Sequence, residues 1–306
     1  MKRAIVTGAT GMIASALIRK LVKENVEVIA LCRKEDNKDD EFFKSPLVTA
    51  IDADISEYAT LSEKIDKKCD VLYHFAWLGT FGNVRNDTYT QTDNIKFTLD
   101  AVKLAAETGC ECFVSAGSQA EYGRTTEKLT AETPCNPETG YGIAKYTAGK
   151  FSRMYAEQLG LRHCWVRILS VFGQKGNPNS IIMSSLDKML KGEYTSFTKG
   201  EQQWDFLHCD DAAAAFYLIG ENGKHGAVYP LGSGKTRLLA EYIMAMRDCI
   251  NPDLKVGLGD LPYNEGQVMY LCADITKLTE DTGFVPELTF EEAINRTAEW
   301  MKEVRK

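Results

Sequence analysis

The sequence predicts an α/β fold with a doubly wound parallel sheet, and three features of its first half support that prediction. Short apolar runs alternate with amphipathic stretches, which is the pattern of strands connected by helices. The runs are continuously apolar, as expected for parallel strands that are buried on both faces. A glycine-rich turn joins the first run to the first amphipathic stretch.

The elements follow in order along the chain. Strands are predicted at 4–7, 26–31, 47–51, 71–75, 112–115 and 163–167, and helices at 11–23, 87–108 and 141–160. The second half is less regular: a loop rich in Gly, Pro and Asn at 173–180 precedes predicted helices at 181–191 and 210–220. A capping box, Thr289-x-x-Glu292, predicts the start of a last helix that ends near Glu303.

Composition narrows the class of protein. The chain has 306 residues, enough for a sizeable core, with 44% hydrophobic and 26% charged residues. Its net charge of −7 argues against nucleic acid or an anionic membrane as a partner, since both require clustered Lys and Arg. Nine scattered cysteines suggest reduced thiols rather than a disulfide framework. No signal peptide or membrane span is recognised, so we expect a cytoplasmic protein.

The glycine-rich turn predicts a dinucleotide site. Gly8, Gly11 and Ala14 are spaced G-x-x-G-x-x-A between the first strand and the first helix. Glycine allows the backbone to turn sharply and approach a pyrophosphate, and the following helix N-terminus offers free N–H groups. The same glycines could serve turn geometry alone, but their position in a Rossmann-like βαβ unit favours a cofactor. The turn residues predicted to contact it are Gly8, Thr10, Gly11, Met12 and Ile13.

The end of the second strand bears on the choice of cofactor. A site for NAD usually has an acid here that bonds the ribose 2′-hydroxyl. This chain has Cys32 followed by Arg33 and Lys34, and a cationic pair suits a 2′-phosphate. NADP(H) is therefore favoured, with NAD(H) as the alternative. Asp54, after the third strand, is a candidate ligand of the adenine amino group.

Tyr141 and Lys145 are four residues apart on a predicted helix, so they share one face. A phenol titrates near pH ~10 when unperturbed. A neighbouring ammonium favours the phenolate and would make Tyr141 a proton donor and acceptor near neutrality. Such a pair is common by chance, and it gains meaning only from the rest of the chain.

The whole chain resembles the extended short-chain dehydrogenase/reductase family, specifically its NAD-dependent epimerase/dehydratase group, which acts on nucleotide sugars. The matching residues are Thr7, Gly8 and Gly11; Asp54 and Ile55; His74, Phe75 and Ala76; Asn94; Ser118 with Tyr122 and Gly123; Tyr141 with Lys145; Arg167 with Phe172 and Gly173; and Asp205 to Asp211.

The resemblance implies specific roles for several of these residues. Ser118 would bond the substrate oxygen, Tyr141 would transfer the proton and Lys145 would support it, while the nicotinamide carries the hydride. It also implies cofactor contacts from Asp54, Ile55, Phe75, Ala76, Asn94, Tyr141 and Lys145, and a homodimer built on the helices of Asn94 and Tyr141. Asn94 is equally compatible with a structural polar role, and His74 is expected to be structural.

Departures from the family pattern bear on the reaction. Dehydratases of this family have an acid pair directly after the hydroxyl residue, whereas Gln119 and Ala120 follow Ser118 here, so dehydration is disfavoured. With NADPH favoured, we expect reduction of a nucleotide-linked 4-keto-(6-deoxy)sugar, with the nearest likeness to deoxysugar reductases of the CDP-abequose-synthase type. A nucleotide-sugar 4-epimerase with tightly bound NAD is the alternative. A non-catalytic dinucleotide-sensing regulator is the third reading.

The expected domain organisation places the dinucleotide site and the catalytic residues in 1–168. Residues 169–306 would form mainly a smaller substrate-binding lobe, partly interleaved with the first domain. Within that lobe, many relatives have an Arg that holds the substrate pyrophosphate where this chain has Trp204. The Asn that is common after Arg167 is Ser170 here. Trp204 could stack on a base or sugar, or belong to the core.

Overall fold

A parallel sheet of seven strands forms the centre of the computed structural model, which describes residues 1–304. In the first half of the chain the elements are β1 (Arg3–Thr7), α1 (Met12–Lys23), β2 (Glu27–Cys32), β3 (Val48–Asp52), β4 (Val71–His74), α2 (Thr88–Glu107), β5 (Cys112–Ser118), α3 (Gly140–Gln158) and β6 (Arg162–Ile168). In the second half they are β7 (Ser170–Phe172), α4 (Ile181–Leu190), β8 (Thr195–Phe197), β9 (Gln203–Trp204), β10 (Phe206–His208), α5 (Cys209–Asn222), β11 (Ala227–Leu231), β12 (Arg237–Leu238), α6 (Leu239–Ile250), β13 (Val256–Leu258), α7 (Thr276–Thr282) and α8 (Phe290–Glu303). Short 3-10 helices cover Glu41–Lys44, Ile55–Lys64, Asn83–Asn86 and Gln119–Glu121.

The strand order of the sheet is β11-β6-β5-β4-β1-β2-β3, and every neighbouring pair is parallel. From β1 the chain moves outward through β2 to β3, then returns to β4 on the other side of β1 and moves outward again. The direction of winding therefore reverses between β1 and β4. In such sheets the ligand crevice opens at the carboxyl ends of the strands beside this point. The predicted doubly wound parallel sheet is confirmed.

Helices cover both faces of the sheet and bury its apolar strands. On one face α1 packs against α5, with Leu17, Leu21 and Phe216 fully buried. On the other face α2 packs against α3, above a cluster that includes Leu72 and Phe113. Because the helices cover both faces of the inner strands β1, β4 and β5, these strands can be apolar on both faces, whereas the edge strand β3 is partly exposed.

The second half of the chain builds a smaller apolar cluster beside the carboxyl edge of the sheet. Phe172, Phe206, Tyr242 and Phe290 pack ring against ring between α4, α6 and α8. The same half also adds β11 and α5 to the large sheet. The division at residue 168 stays a prediction.

Most of the predicted elements are present to within a few residues, and the capping box of the last helix is formed by Thr289 and Glu292. The strand β11 was not predicted, because Pro230 interrupts its apolar run. A proline is tolerated in a strand at the edge of a sheet, which is where β11 lies. In residues 1–304, no helix combines the length and apolar character needed to cross a membrane.

Candidate active site

The turn after β1 is shaped for close approach of a ligand. Gly8 has φ +63°, and a Cβ there would lie 3.0 Å from the backbone nitrogen of Ala76. Gly11 caps α1 without a side-chain hydrogen bond, and the first turn of α1 contains no acid. The first N–H groups of α1 are thus available to an anion, and this geometry fits a dinucleotide pyrophosphate. Met12 and Ile13 begin the helix and line the same cavity.

Thr7 ties this turn to the end of β4. Its hydroxyl accepts hydrogen bonds from the backbone N–H groups of Phe75 (3.0 Å) and Ala76 (3.1 Å) and lies 3.0 Å from Nδ1 of His74. Burial lowers the pKa of His74 to about 3, with a smaller contribution from the charge of Lys145. His74 is therefore neutral and holds the strand ends in register, in keeping with the structural role expected for it.

At the end of β2, Arg33 forms an ion pair that bears on the predicted preference for NADP(H). The Arg33 guanidinium donates to the carboxylate of Asp36 at 2.7 Å, and Glu35 lies 3.6 Å from it. Asp36 also accepts a hydrogen bond from the Thr10 hydroxyl (3.2 Å), so its carboxylate reaches the glycine-rich turn. Burial raises the pKa of Asp36, but the hydrogen bonds and charge of Arg33 lower it more. The charge of Arg33, on which the preference for NADP(H) depended, is thus largely compensated.

Three other residues predicted to bind the cofactor are hydrogen-bonded or buried within the protein. The carboxylate of Asp54 caps the 3-10 helix that begins at Ile55, by accepting from the N–H (3.0 Å) and hydroxyl (2.6 Å) of Ser56. Ile55 itself is buried. The amide of Asn94 is fully buried on α2, where it accepts from the N–H of Leu78 (2.8 Å) and donates to its carbonyl (2.9 Å). Asn94 thereby fixes the loop after β4.

Ser118, Tyr141 and Lys145 lie together in the cavity at the carboxyl edge of the sheet. Ser118 ends β5, while Tyr141 and Lys145 are on the first two turns of α3. All three side chains are buried. The Lys145 ammonium donates to the carbonyl of Ala116 at 2.7 Å and lies 3.6 Å from the centre of the Trp77 ring. The sequence correctly predicted that these three residues meet.

Burial shifts the acidity of both titratable members of this cluster. It lowers the pKa of Lys145 to about 7, against a weaker opposing effect of the Glu121 charge. It raises the pKa of Tyr141, whereas a hydrogen bond with Ser118 and then the charge of Arg85 act to lower it. The cation that lowers the Tyr141 pKa is thus Arg85, and the sequence had suggested Lys145 for this effect.

A buried ion pair lies under the cluster. The Glu121 carboxylate accepts from Nε of Arg167 (2.7 Å), from the Trp165 indole (2.9 Å) and from the backbone N–H of Ser118 (2.8 Å). The side chains of Glu121 and Arg167 are only 1% and 5% exposed. Glu121 therefore fixes the backbone at Ser118 and is itself shut off from the cavity.

The cavity has a volume of about 830 Å³ and runs from the glycine-rich turn to the second-half cluster. Its lining includes three cationic side chains, Arg85, Lys145 and Lys188, and no carboxylate. Such a lining suits an anionic ligand. Trp204 and Ser170, the two departures from the family pattern, are joined in the same wall by a hydrogen bond of 2.7 Å from the indole to the hydroxyl.

Sequence reasoning missed Arg85 and Trp77. Both lie in the irregular segment between β4 and α2, which has no recognisable motif. The guanidinium carbon of Arg85 is 4.1 Å from the centre of the Tyr141 ring, and the Trp77 ring meets Tyr141 edge to face at 6.0 Å. The position of this segment in the topology could have indicated Arg85 and Trp77. A loop that follows a strand next to the switch point borders the ligand crevice.

Comparisons with known proteins agree with this architecture. The model of the NAD dependent epimerase/dehydratase family matches residues 4–232. A protein of Methanocaldococcus jannaschii, whose name assigns it provisionally to the UDP-glucose 4-epimerases, is 29% identical over 309 residues, covering 97% of this chain and 98% of its own length.

Solved structures share the fold at lower sequence identity. UDP-N-acetylglucosamine 4-epimerase from Methanobrevibacter ruminantium, in complex with UDP-N-acetylmuramic acid, superposes with a TM-score of 0.88 at 24% identity and 99% coverage of both chains. UDP-glucuronic acid 4-epimerase from Bacillus cereus, in complex with NAD, has a TM-score of 0.84 at 18% identity, with 99% of this chain and 100% of that chain covered. With the family match over residues 4–232, the chain belongs to the NAD dependent epimerase/dehydratase family of extended short-chain dehydrogenases/reductases and is an enzyme that uses a nicotinamide dinucleotide.

Proposed function

We propose that this enzyme is a nucleotide-sugar 4-epimerase that keeps NAD bound through the reaction. The observation that carries the proposal is the ion pair between Arg33 and Asp36, which places a carboxylate beside the dinucleotide turn. A carboxylate there suits the free ribose 2′-hydroxyl of NAD and opposes a 2′-phosphate. The relatives reported above are named as 4-epimerases, one of them provisionally, which favours the same reaction.

The proposed chemistry assigns one task to each buried residue. A nicotinamide ring held in this cavity would supply the hydride chemistry at sugar C4. Tyr141 removes the proton of the 4-hydroxyl and later gives it back, and Ser118 holds the same oxygen by a hydrogen bond. Lys145 would hold the ribose of the cofactor by a hydrogen bond.

The cavity also has to hold the sugar nucleotide and allow its sugar ring to rotate. Inversion at C4 requires that the hydride leave one face of the sugar and return to the other, so the site must allow both faces of the 4-keto sugar to be presented to the nicotinamide while Tyr141 stays within reach of the C4 oxygen. The cavity of about 830 Å³ is within the range of ligand sites that hold a molecule of this size. Lys188 is exposed, lies on α4 in the cavity wall and has no ion-pair partner among residues 1–304. We assign to it a contact with the substrate diphosphate.

A turnover assay without added cofactor tests the proposal. Purified protein is incubated with UDP-glucose, UDP-N-acetylglucosamine or UDP-glucuronic acid, and the products are separated and identified by nuclear magnetic resonance. We expect one sugar to be converted to a mixture with its 4-epimer, with no net consumption of NADH or NADPH. Tyr141→Phe is the matched control and should be inactive while still retaining NAD.

The 4-ketoreductase predicted from the sequence predicts a different outcome in the same experiment. It would oxidise NADPH stoichiometrically with a nucleotide-linked 4-keto-6-deoxysugar and leave the UDP-sugars unchanged. Structures with this fold contain NAD in some cases and NADPH in others, so the fold does not select between the cofactors. NADPH-consuming turnover with no epimerisation would contradict the epimerase.

The predicted homodimer is supported by an exposed apolar stripe on α3. Ile143, Phe151 and Met154 lie along one side of that helix and are 53%, 48% and 58% exposed. We propose that a second copy of the chain covers this stripe through the α2 and α3 helices of both subunits. Sedimentation should give a dimer for the wild type and a monomer for Phe151→Glu. A wild-type monomer would contradict the assembly.

A further inference from the structure

Tyr141 needs a positive charge nearby if its phenolate is to form in a buried site. Burial raises the pKa of this phenol, as for any acid whose charged form loses water. The residue expected to compensate is Lys145. Its ammonium, however, points at the carbonyl of Ala116 (2.7 Å) and at the face of Trp77 (3.6 Å), and it lies 5.8 Å from the centre of the Tyr141 ring.

Lys145 is also an unreliable source of charge. Burial lowers its pKa to about 7, so this amine loses its proton far more easily than an exposed lysine does. An arginine differs in this respect, since its guanidinium stays protonated throughout the working range of a protein. A fixed charge on the phenol therefore has to come from a residue other than Lys145.

Arg85 is placed to provide that charge. Its guanidinium carbon lies 4.1 Å from the centre of the Tyr141 ring, and its Nη1 donates to the carbonyl of Thr80 at 2.7 Å. No carboxylate pairs with Arg85 anywhere in the described part of the chain. The other charged group that acts on the phenol, Glu121, is occupied by Arg167.

We propose that Arg85 is a positioning residue that holds a permanent positive charge against the face of Tyr141 and so favours its phenolate. A cation over an aromatic ring is attracted to the neutral phenol and more strongly to the phenolate, because the phenolate adds a full negative charge. The inference rests on the proposed role of Tyr141 as the proton-transfer residue. It holds equally whether the reaction is epimerisation or reduction.

The test is a spectroscopic titration of the phenolate in the protein saturated with NAD and without substrate. Ultraviolet absorbance of ionised tyrosine is followed with pH in wild type and in Arg85→Gln, and the signal of the corresponding Tyr141→Phe protein is subtracted from each. We expect the Tyr141 step to move to higher pH by about one unit in Arg85→Gln and to move much less in Arg85→Lys. The pH profile of kcat/KM should move in the same direction by a similar amount.

A control separates charge from loop placement. Gln91 holds the same loop, because its amide donates to the carbonyls of Gly79 (3.0 Å) and Val84 (3.1 Å). Gln91→Ala should therefore raise KM by loosening the loop but leave the Tyr141 titration near its wild-type pH. If Gln91→Ala shifts the titration as much as Arg85→Gln does, or if the Tyr141 step is not lower in wild type than in Arg85→Gln, the inference is wrong.

The two measurements also separate this inference from the proposed function. A titration step that depends on Arg85, in a protein that epimerises none of the UDP-sugars, would support the inference and count against the epimerase. If the protein epimerises a UDP-sugar but the Tyr141 titration is the same in wild type and Arg85→Gln, the epimerase is supported and the inference about Arg85 is wrong.

Discussion

Replacing Glu121 with Gln should destabilise the protein severely, although Glu121 does not face the cavity. The change keeps the size of the side chain and removes the charge that compensates the buried Arg167 guanidinium. Nη1 of Arg167 already has no hydrogen-bond partner within residues 1–304, so no second acceptor takes over. Breaking one side of a buried ion pair costs about 3–5 kcal/mol in other proteins. For Glu121→Gln we expect about 3 kcal/mol, because the amide oxygen can still accept one bond.

Urea denaturation followed by circular dichroism measures this loss as a lower midpoint at unchanged slope. The matched control is Lys96→Gln, which breaks the surface ion pair between Lys96 and Asp100 on α2. This change should alter the free energy of unfolding by less than ~0.5 kcal/mol. The double substitution of Glu121 and Arg167 by Gln should cost less than the sum of the two single ones. A cost below about 1 kcal/mol for Glu121→Gln would refute the reasoning.

Two further predictions concern the cofactor site and the buried lysine. Asp36→Ala removes the carboxylate beside the glycine-rich turn and leaves Arg33 without its ion-pair partner. The ratio of NADP affinity to NAD affinity, measured by titration calorimetry, should therefore rise at least about tenfold. An unchanged ratio would show that the Arg33–Asp36 pair does not determine which cofactor binds. The pKa of Lys145 is lower in the folded protein than in the unfolded chain. Between about pH 7 and 10 the unfolded chain therefore binds more protons than the folded protein does. The wild type should accordingly gain stability with rising pH relative to Lys145→Met. Denaturation of both proteins without cofactor at about pH 7 and pH 9 should show a relative gain of about 2 kcal/mol, and parallel stabilities would contradict a buried neutral amine.

Much of the fold and of the site follows from local sequence patterns. The strands β1 to β6 follow short, mainly apolar runs, and the glycine-rich turn lies beside the switch point. Ser118, Tyr141 and Lys145 meet because each lies at the carboxyl edge, two of them on one helix face. Each of these features is encoded by a short local pattern, and the sheet brings the separate patterns together.

Other features of the site depend on side-chain contacts that no sequence motif reveals. Arg33 looked like a ligand of a 2′-phosphate because the sequence does not show that Asp36 folds back onto it. The sequence also does not show that the amide of Asn94 bonds the backbone of Leu78, and its contact with the cofactor stays a prediction. Arg85 belongs to a loop without a motif, and only the folded chain brings it to Tyr141. The cytoplasmic location remains a prediction.

The central claim is that Tyr141 transfers the proton, while the other residues of the site bind the dinucleotide and the sugar nucleotide. One comparison tests this claim most directly. Wild type and Tyr141→Phe are purified in parallel, and bound dinucleotide and kcat on the reactive sugar nucleotide are measured for both. The account predicts equal dinucleotide content and a fall in kcat of at least about 100-fold for Tyr141→Phe. A variant that binds the dinucleotide and turns over near the wild-type rate would contradict it.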